Sequence, residues 1–382
     1  MKRGMGLKVI IVDDESLAIL KMETLLREQT EVDIELAGSY MNPLEALAAA
    51  RREVLHLAFL DIEMPEITGF ELANQLLNIQ PHIEIVFTTA FQEYALKAFE
   101  INALDYLLKP VSPDRLVITL QRIAKAAGEL TDRGNEANAI QLNCFRNIHY
   151  VDADGTTKSF ACRTLKAPEI FAYLLFHHDT IVTKQSLIDL LWPEYDIDKA
   201  TAQLHTAIYQ IRKVLKEAEF ELEIKYKDGG YSLLLGDVKL DVEDWESRVK
   251  KARPVTADTM GQHLSILSLY KGDYLADHRY TWAEYEQERL RLIWLTHVKQ
   301  LAEYCLSSEM YTEAMSLYQE IVYRLPYVED GYLGLMKVYS ISNHQLEVRK
   351  VYRILCTKLR DEFDVAPSRE LTNWYLEWKQ SI

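Results

Sequence analysis

Five polar side chains in the first third of the sequence each follow a short apolar run. Asp13 and Asp14 follow "KVIIV", Asp61 follows "LAFL", Thr89 follows "IVFT", and Lys109 follows "DYLL". A short apolar run bounded by turn residues reads as a buried parallel strand. Open α/β sheets build their sites at the carboxyl ends of such strands. Asp61 alone, ahead of "IEMPEITG", also fits a helix N-cap or a turn aspartate. The group of five argues for more. Three carboxylates on one rim repel one another unless a cation holds them, and hard oxygen ligands suit Mg²⁺. A lysine adds a mobile positive charge and a threonine adds a hydroxyl. This set suits a phosphoryl group: metal and lysine neutralise its oxygens while one carboxylate attacks phosphorus in line.

The elements that must carry these groups follow from periodicity. Strand-like runs fall at 7–12, 34–39, 55–60, 83–88 and 103–108, with helical segments near 16–29, 43–52, 66–78, 92–99 and 112–126. Five βα units of that length imply a parallel, doubly wound sheet. Residues 128–139, "GELTDRGNEANA", are polar and aperiodic and read as a linker. Three short β-like pieces follow near 140–145, 148–152 and 158–163, then helical patterns at 167–177, 183–191 and 199–217. "EIKYKDGGYSLLL" reads as a hairpin turning on Asp228-Gly229-Gly230. Three helices closed by a hairpin suggest a winged helix-turn-helix.

From Asp241 onward the pattern is all-helical. "EMYTEAMSLYQEI" at 309 aligns with "NHQLEVRKVYRIL" at 343, placing Leu317 over Val351 and Tyr318 over Tyr352, an offset of 34 residues. That is the period of tetratricopeptide helix pairs. Tyr311, Tyr318, Tyr339 and Tyr352 read as packing residues.

Bulk properties narrow the class. A chain of 382 residues with 48% hydrophobic content holds two or three globular domains. No run of 18 apolar residues occurs, and the start runs straight into a strand pattern, so neither a membrane span nor a signal peptide is expected. Cys144, Cys162, Cys305 and Cys356 lack ligand spacing and suit a reducing, cytoplasmic compartment. The net charge of −15 argues against indiscriminate nucleic-acid coating. Its distribution is uneven. Residues 1–125 carry 12 Lys/Arg against 19 Asp/Glu, and residues 140–236 carry 11 against 13. Lys199 to Lys216 holds Lys199, Arg212, Lys213 and Lys216 and no acid, compatible with one focused contact.

With these residues in place, 5–126 resembles the receiver domain of bacterial response regulators. The words that carry the resemblance are "VDDE", "LDIEMPEITGFEL", "TTA", "LDY" and "LLKP", in order and at the family's spacing. The resemblance implies that Asp61 is the phosphoacceptor for a sensor histidine kinase. Asp14 and Asp61 would ligate Mg²⁺ directly, Asp13 largely through water, and the Glu63 backbone carbonyl would complete the shell. Thr89 and Lys109 would bind phosphoryl oxygens, and Tyr106 would act as an aromatic switch. A cis Lys109–Pro110 bond is expected. "FQEYALKAFEINALDYLLKP", 91–110, is closer in wording to receivers of LytTR-type regulators.

In "KATAQLHTAIYQIRKVLKE", Leu204, Ile208, Ile211 and Leu215 define a buried stripe. Thr206, Tyr209 and Lys213 lie opposite, with His205, Arg212 and Lys216 on one flank. Such a face can enter a major groove, though a solvated helix has a similar composition. Residues 140–236 resemble the OmpR-type winged helix, carrying "LLW", "IRKVL" and "GGYSL". With Thr201 and the wing residue Lys227 these side chains form the candidate DNA-contacting set. Gln210 stands where the family often has arginine, which implies modest, dimer-dependent affinity. Residues 240–380 resemble the bacterial transcriptional activator domain through "YKGDYLAD", "WAEYEQERLRL" and "LRDEFDVAPSRELTNWY".

The expected layout is a receiver at 1–126, a linker at 127–139, a winged helix at 140–236 and tetratricopeptide-like helices at 240–382. The expected function is a phosphorylation-controlled transcription factor and not an enzyme. Its expected partners are a histidine kinase and double-stranded DNA, with a homodimer on phosphorylation and RNA polymerase as a further candidate. Two rivals stand beside it. One is an aspartyl-phosphate phosphatase, which needs an aspartate where Glu63 stands. The other is a scaffold acting through protein contacts.

Overall fold

The computed structural model describes residues 7–29, 32–65, 67–80, 83–90, 103–113, 115–117, 119–120, 123, 141–151, 157–160, 166–218 and 222–381. The expected helix at 92–99 and the linker at 128–139 lie outside them, as does part of the 112–126 segment.

The first strands are β1 (Leu7–Val12), β2 (Ile34–Tyr40), β3 (Leu57–Asp61), β4 (Glu84–Thr89) and β5 (Asp105–Leu108). All pair in parallel, in the order β2-β1-β3-β4-β5. Helices α1 (Ser16–Glu28), α2 (Pro43–Ala50) and α3 (Gly69–Ile79) alternate with them. Every residue of β3 is buried, which explains why its sequence runs apolar without alternation. On one face Val9, Ile11, Leu57, Phe59 and Val86 pack with Met22 and Leu26 of α1 and with Leu116 and Leu120. On the other, Phe70 of α3 meets Phe87, ring centroids 4.8 Å apart. Thr68 caps α3 in a reciprocal capping box with Glu71.

Residues 141–241 hold two small sheets and three helices. Strands β6 (Gln141–Asn143), β7 (His149–Val151) and β8 (Thr157–Ser159) pair antiparallel in series. Helices α4 (Lys166–Phe176), α5 (Lys184–Leu191) and α6 (Ile197–Glu217) follow, with β9 (Val182–Thr183) between the first two. β10 (Glu223–Lys227) and β11 (Gly230–Leu234) form the wing, and β11 also pairs with β9. The hairpin turn is Asp228-Gly229, both at positive φ (51° and 81°), while Gly230 is already in the strand. Two strands escape sequence reading because they are only two residues long. They are β9 and β12 (Lys239–Leu240), which pairs in parallel with β6. The Asp241 carboxylate anchors β12 by accepting from the Cys144 and Phe145 amides at 2.7 and 3.3 Å.

Residues 242–382 form a separate compact unit of helices. α7 (Asp241–Lys251), α8 (Met260–Leu269) and α9 (Glu284–Ser307) pack around Trp245, Tyr270 and Trp294. Arg289 is fully enclosed by Glu246 and Glu286, which hold its guanidinium charged against the cost of burial. α10 (Tyr311–Arg324), α11 (Glu329–Ile341) and α12 (Gln345–Phe363) continue the stack, followed by α13 (Arg369–Ser381). The 34-residue repeat extends to the turns. Glu309 and Asn343 both adopt left-handed backbone (φ 61° and 59°). In each turn the next amide donates back at 2.8 Å, Met310 to Cys305 and His344 to Tyr339. Leu317 and Val351 are both buried.

Candidate functional site

The site sits where the sheet's strand order reverses, at the carboxyl ends of β1 and β3. Register explains the meeting. Val12 pairs with Leu60, Asp61 with Thr88, and Thr89 with Leu108, so the residues that end or follow these strands share one rim. The carboxylates of Asp13, Asp14 and Asp61 come within 4.8 Å of one another. Asp13 and Asp61 are buried, and Asp14 is half-buried. Lys109 bridges the buried pair, its Nζ 2.7 Å from Asp13 and 3.1 Å from Asp61.

The electrostatics are those of two buried acids and one base. Burial raises the Asp61 pKa to about 6, the Asp13 charge adds to this, and Lys109 works against it. Burial opposes the charge on Lys109, yet its bond to Asp13 and the two carboxylates outweigh it and hold its pKa above the ordinary value. At neutral pH Asp61 is ionised and Lys109 charged.

Local backbone aims these groups. The Glu15 amide donates to Asp13 Oδ1 at 3.0 Å, fixing that carboxylate. The Gly69 amide donates to the Ile62 carbonyl at 2.9 Å, so the start of α3 closes on the end of β3. A Cβ at Gly69 would come 2.1 Å from the Asp61 carbonyl oxygen, which leaves no room for another side chain. The Lys109 amide donates to the Thr89 carbonyl at 2.7 Å, and Lys109–Pro110 is cis, as expected. Thr89 and Tyr106 are buried, and Glu63 lies in the exposed loop beyond Asp61.

Sequence reasoning missed one supporting group. Asp105 is wholly buried and accepts from Arg115 at 2.5 Å and from the Thr119 hydroxyl at 2.7 Å. It pins β5, from whose end Lys109 projects. The signal was an aspartate inside an apolar strand with a basic residue ten positions on.

A second candidate surface is the outer face of α6. Leu204, Ile208, Ile211 and Leu215 are buried, and Thr206, Tyr209 and Lys213 are exposed opposite them. His205, Tyr209 and Lys216 are exposed without side-chain partners among the described residues, whereas Thr201 is half-buried. The Thr206 hydroxyl donates to the Ala202 carbonyl at 2.9 Å, so acceptor capacity is what its oxygen still offers. Arg212 donates to the wing carbonyl of Ile224 at 2.8 Å and thereby ties α6 to β10. Lys213 lies 3.7 Å from Glu217 and Lys227 3.6 Å from Asp228, both loose surface pairs.

Comparison with known proteins places these surfaces in families. Residues 9–121 match the response regulator receiver domain, 163–233 the C-terminal domain of transcriptional regulatory proteins, and 240–377 the bacterial transcriptional activator domain. The transcriptional regulatory protein BtsR of Escherichia coli K12 is 46% identical over 117 residues, which are 31% of this chain and 48% of that protein. A response regulatory protein of Shewanella oneidensis is 47% identical over 116 residues, 30% and 48% of the two chains. The chain thus spans about half the length of the curated relatives it matches. Mycobacterium tuberculosis EmbR, solved with a low-affinity phosphopeptide, superposes with a TM-score of 0.51 at 20% identity, over 64% of this chain and 66% of that one. That likeness is one of fold. No helix among the described residues is long and apolar enough to cross a membrane.

Proposed function

We propose that this chain, which joins a response regulator receiver domain to a transcriptional regulatory domain and a bacterial transcriptional activator domain, is a phosphorylation-controlled transcription factor. The observation that carries the reading is the Lys109 ammonium held between the Asp13 and Asp61 carboxylates at the sheet's carboxyl rim. Asp61 is the nucleophile. Its carboxylate oxygen forms a bond to phosphorus as the bond to the donor breaks, and the donor, a kinase phosphohistidine, leaves with the electron pair. Lys109 is already at this carboxylate and balances the charge that the phosphoryl group brings. Thr89 supplies a hydroxyl to a phosphoryl oxygen, and burial of Tyr106 is the state of the aromatic switch that phosphorylation favours.

The donor set fits a hard divalent cation: three carboxylates whose oxygens lie within 4.8 Å, an all-oxygen cluster among the described residues. Asp13, Asp14, Asp61 and the Glu63 carbonyl would hold Mg²⁺. Bound there, the ion would supply charge neutralisation for the phosphoryl oxygens.

The output is sequence-specific DNA binding by α6 and the wing. Tyr209, His205 and Thr206 face bases, and Lys213, Lys216 and Lys227 face phosphates. Arg212 holds the wing against the helix, with Thr201 near the helix start. Few cations per copy imply weak binding alone, so phosphorylated receivers pair two copies on DNA. The activator-domain helices offer a surface for RNA polymerase. A DNA target places the chain in the cytoplasm, and turnover of free substrates is no part of its function.

The test is incubation of the full chain with acetyl phosphate and Mg²⁺, followed by peptide mass analysis. One phosphoryl group on the peptide bearing Asp61, absent in Asp61→Asn, is the expected result. Equal labelling of both proteins overturns the assignment.

A further inference from the structure

The helical unit contains a cleft that the DNA and phosphoryl chemistry leave unused. It has a volume of about 350 Å³ and opens between α9, α10 and α11, a size within the usual range of small-molecule sites. Its two long walls are helical stripes. Lys299, Glu303 and Leu306 lie at i, i+4 and i+7 on α9, and Asp330, Gly334 and Lys337 repeat that spacing on α11. Lys299 and Asp330 face each other and pair at 3.0 Å. Beyond that pair, the pattern stops pairing. Glu303 and Lys337 both line the cleft, yet neither has a side-chain partner among the described residues.

The floor is Tyr318 of α10, only 4% exposed. Its ring is pressed against Gly334, where a Cβ would stand 2.2 Å from Cε1, so the phenol cannot turn away. Its hydroxyl has no hydrogen-bond partner among the described residues. Burial first, then the charges of Glu303 and Asp330, push this phenol far above its ordinary pKa, so it stays a neutral donor. The Tyr318 hydroxyl, the half-buried Lys337 and the exposed Glu303 thus present a donor, a cation and a carboxylate to one cleft, each open to a complementary ligand.

We propose that this cleft binds a small zwitterion of the α-amino acid class, its carboxylate at Lys337 and the Tyr318 hydroxyl, its ammonium at Glu303. Glu303 and Lys337 face across the cleft about one helical turn apart, roughly 5.4 Å along the axis, a span that adjacent opposite charges of one small molecule bridge. Leu306 and Leu333 add apolar wall, which favours an apolar side chain on the ligand. A simple anion leaves Glu303 unpaired, and a simple cation leaves Lys337 and Tyr318 unpaired. The zwitterion satisfies all three.

The test is calorimetric titration of the full chain with each of the twenty L-amino acids, without phosphodonor or DNA, so that it stands apart from the receiver reading. Tyr318→Phe keeps the ring against Gly334 and removes only the hydroxyl, and Lys337→Gln removes only the charge. Circular dichroism melting of the free variants checks that both fold. At least one apolar amino acid binds, and each substitution weakens it about tenfold, as loss of one hydrogen bond to a charged group does. The N-acetyl amide of the same amino acid, which lacks both charges, fails to bind. No binding by any of the twenty at millimolar concentration overturns the proposal. So does binding that both substitutions leave unchanged, or equal binding of the blocked derivative.

Discussion

Replacing Asp61 by asparagine should stabilise the metal-free receiver at neutral pH while abolishing its phosphorylation. Asp61 is buried, and its pKa is raised from 3.8 to about 6. A group raised in the folded state contributes stability that is fully present below the unfolded value and is lost as pH rises through the folded one. At pH 7 the folded chain therefore carries the full penalty of an ionised Asp61. A displacement of about two pKa units corresponds to ~3 kcal/mol, an upper figure because water reaches the rim. Asparagine has the same shape without the charge, and its amide can still meet Asp13 or Asp14. In metal-free buffer, hydrogen exchange at the β1 and β3 amides reads the opening free energy of this sheet. The variant should open less readily than the wild type at pH 7, by ~1–3 kcal/mol, and the two should converge as pH falls towards 4. Equal or faster exchange in the variant at pH 7 refutes the electrostatic reasoning.

Other outcomes follow from the same geometry. Lys109→Ala should retain part of its labelling by acetyl phosphate but show no phosphorylation-dependent rise in DNA affinity, because the group that senses the new charge is gone; a full response rules this out. Gly69→Ala should slow phosphorylation ~10–100-fold, since its Cβ would meet the Asp61 carbonyl oxygen at 2.1 Å and must displace the nucleophile; an unchanged labelling rate contradicts this. The helical unit should lose stability between about pH 6.5 and pH 4. Burial, then the nearby His263, lower the His297 pKa to about 4, so the unfolded chain takes up the proton first, at a cost of ~3 kcal/mol by the end of that window. The His263 Nε2–H donates to the Arg253 carbonyl and His297 Nε2 lies 2.9 Å from His263 Nδ1, leaving His297 Nδ1 buried without a partner. Denaturant titration followed by tryptophan fluorescence, which arises mostly from residues 242–382, checks the window; a profile flat in pH contradicts it.

Much of this was legible in the sequence because the relevant signals are local. An apolar run that ends in a carboxylate is visible as text, and parallel pairing then places every such end on one rim. The repeat of 34 residues was visible for the same reason, down to Leu317 over Val351. What stayed hidden was contact between distant residues. Nothing in "LDY" says that Asp105 meets Arg115 and Thr119, and nothing in "IRKVL" says that Arg212 reaches the Ile224 carbonyl. That second contact gives Arg212 a further role, tying the wing to α6, while its other N–H groups stay exposed. Two-residue strands such as β9 and β12 carry no periodicity at all. Tyr318, read as packing, does pack against Gly334, but its uncommitted hydroxyl could only be found from its surroundings.

The central claim is that charge added at Asp61 governs DNA binding by α6 and the wing. The direct measurement is a gel-shift titration of the full chain on direct-repeat DNA duplexes, with and without acetyl phosphate, beside Asp61→Asn and alongside light scattering. Phosphorylated wild type should bind ~10²–10⁴-fold more tightly and as a dimer, the gain expected when two weak sites are linked, while Asp61→Asn stays at the unphosphorylated level under both conditions. Equal affinity of phosphorylated and unphosphorylated wild type, with the protein monomeric throughout, would contradict the account.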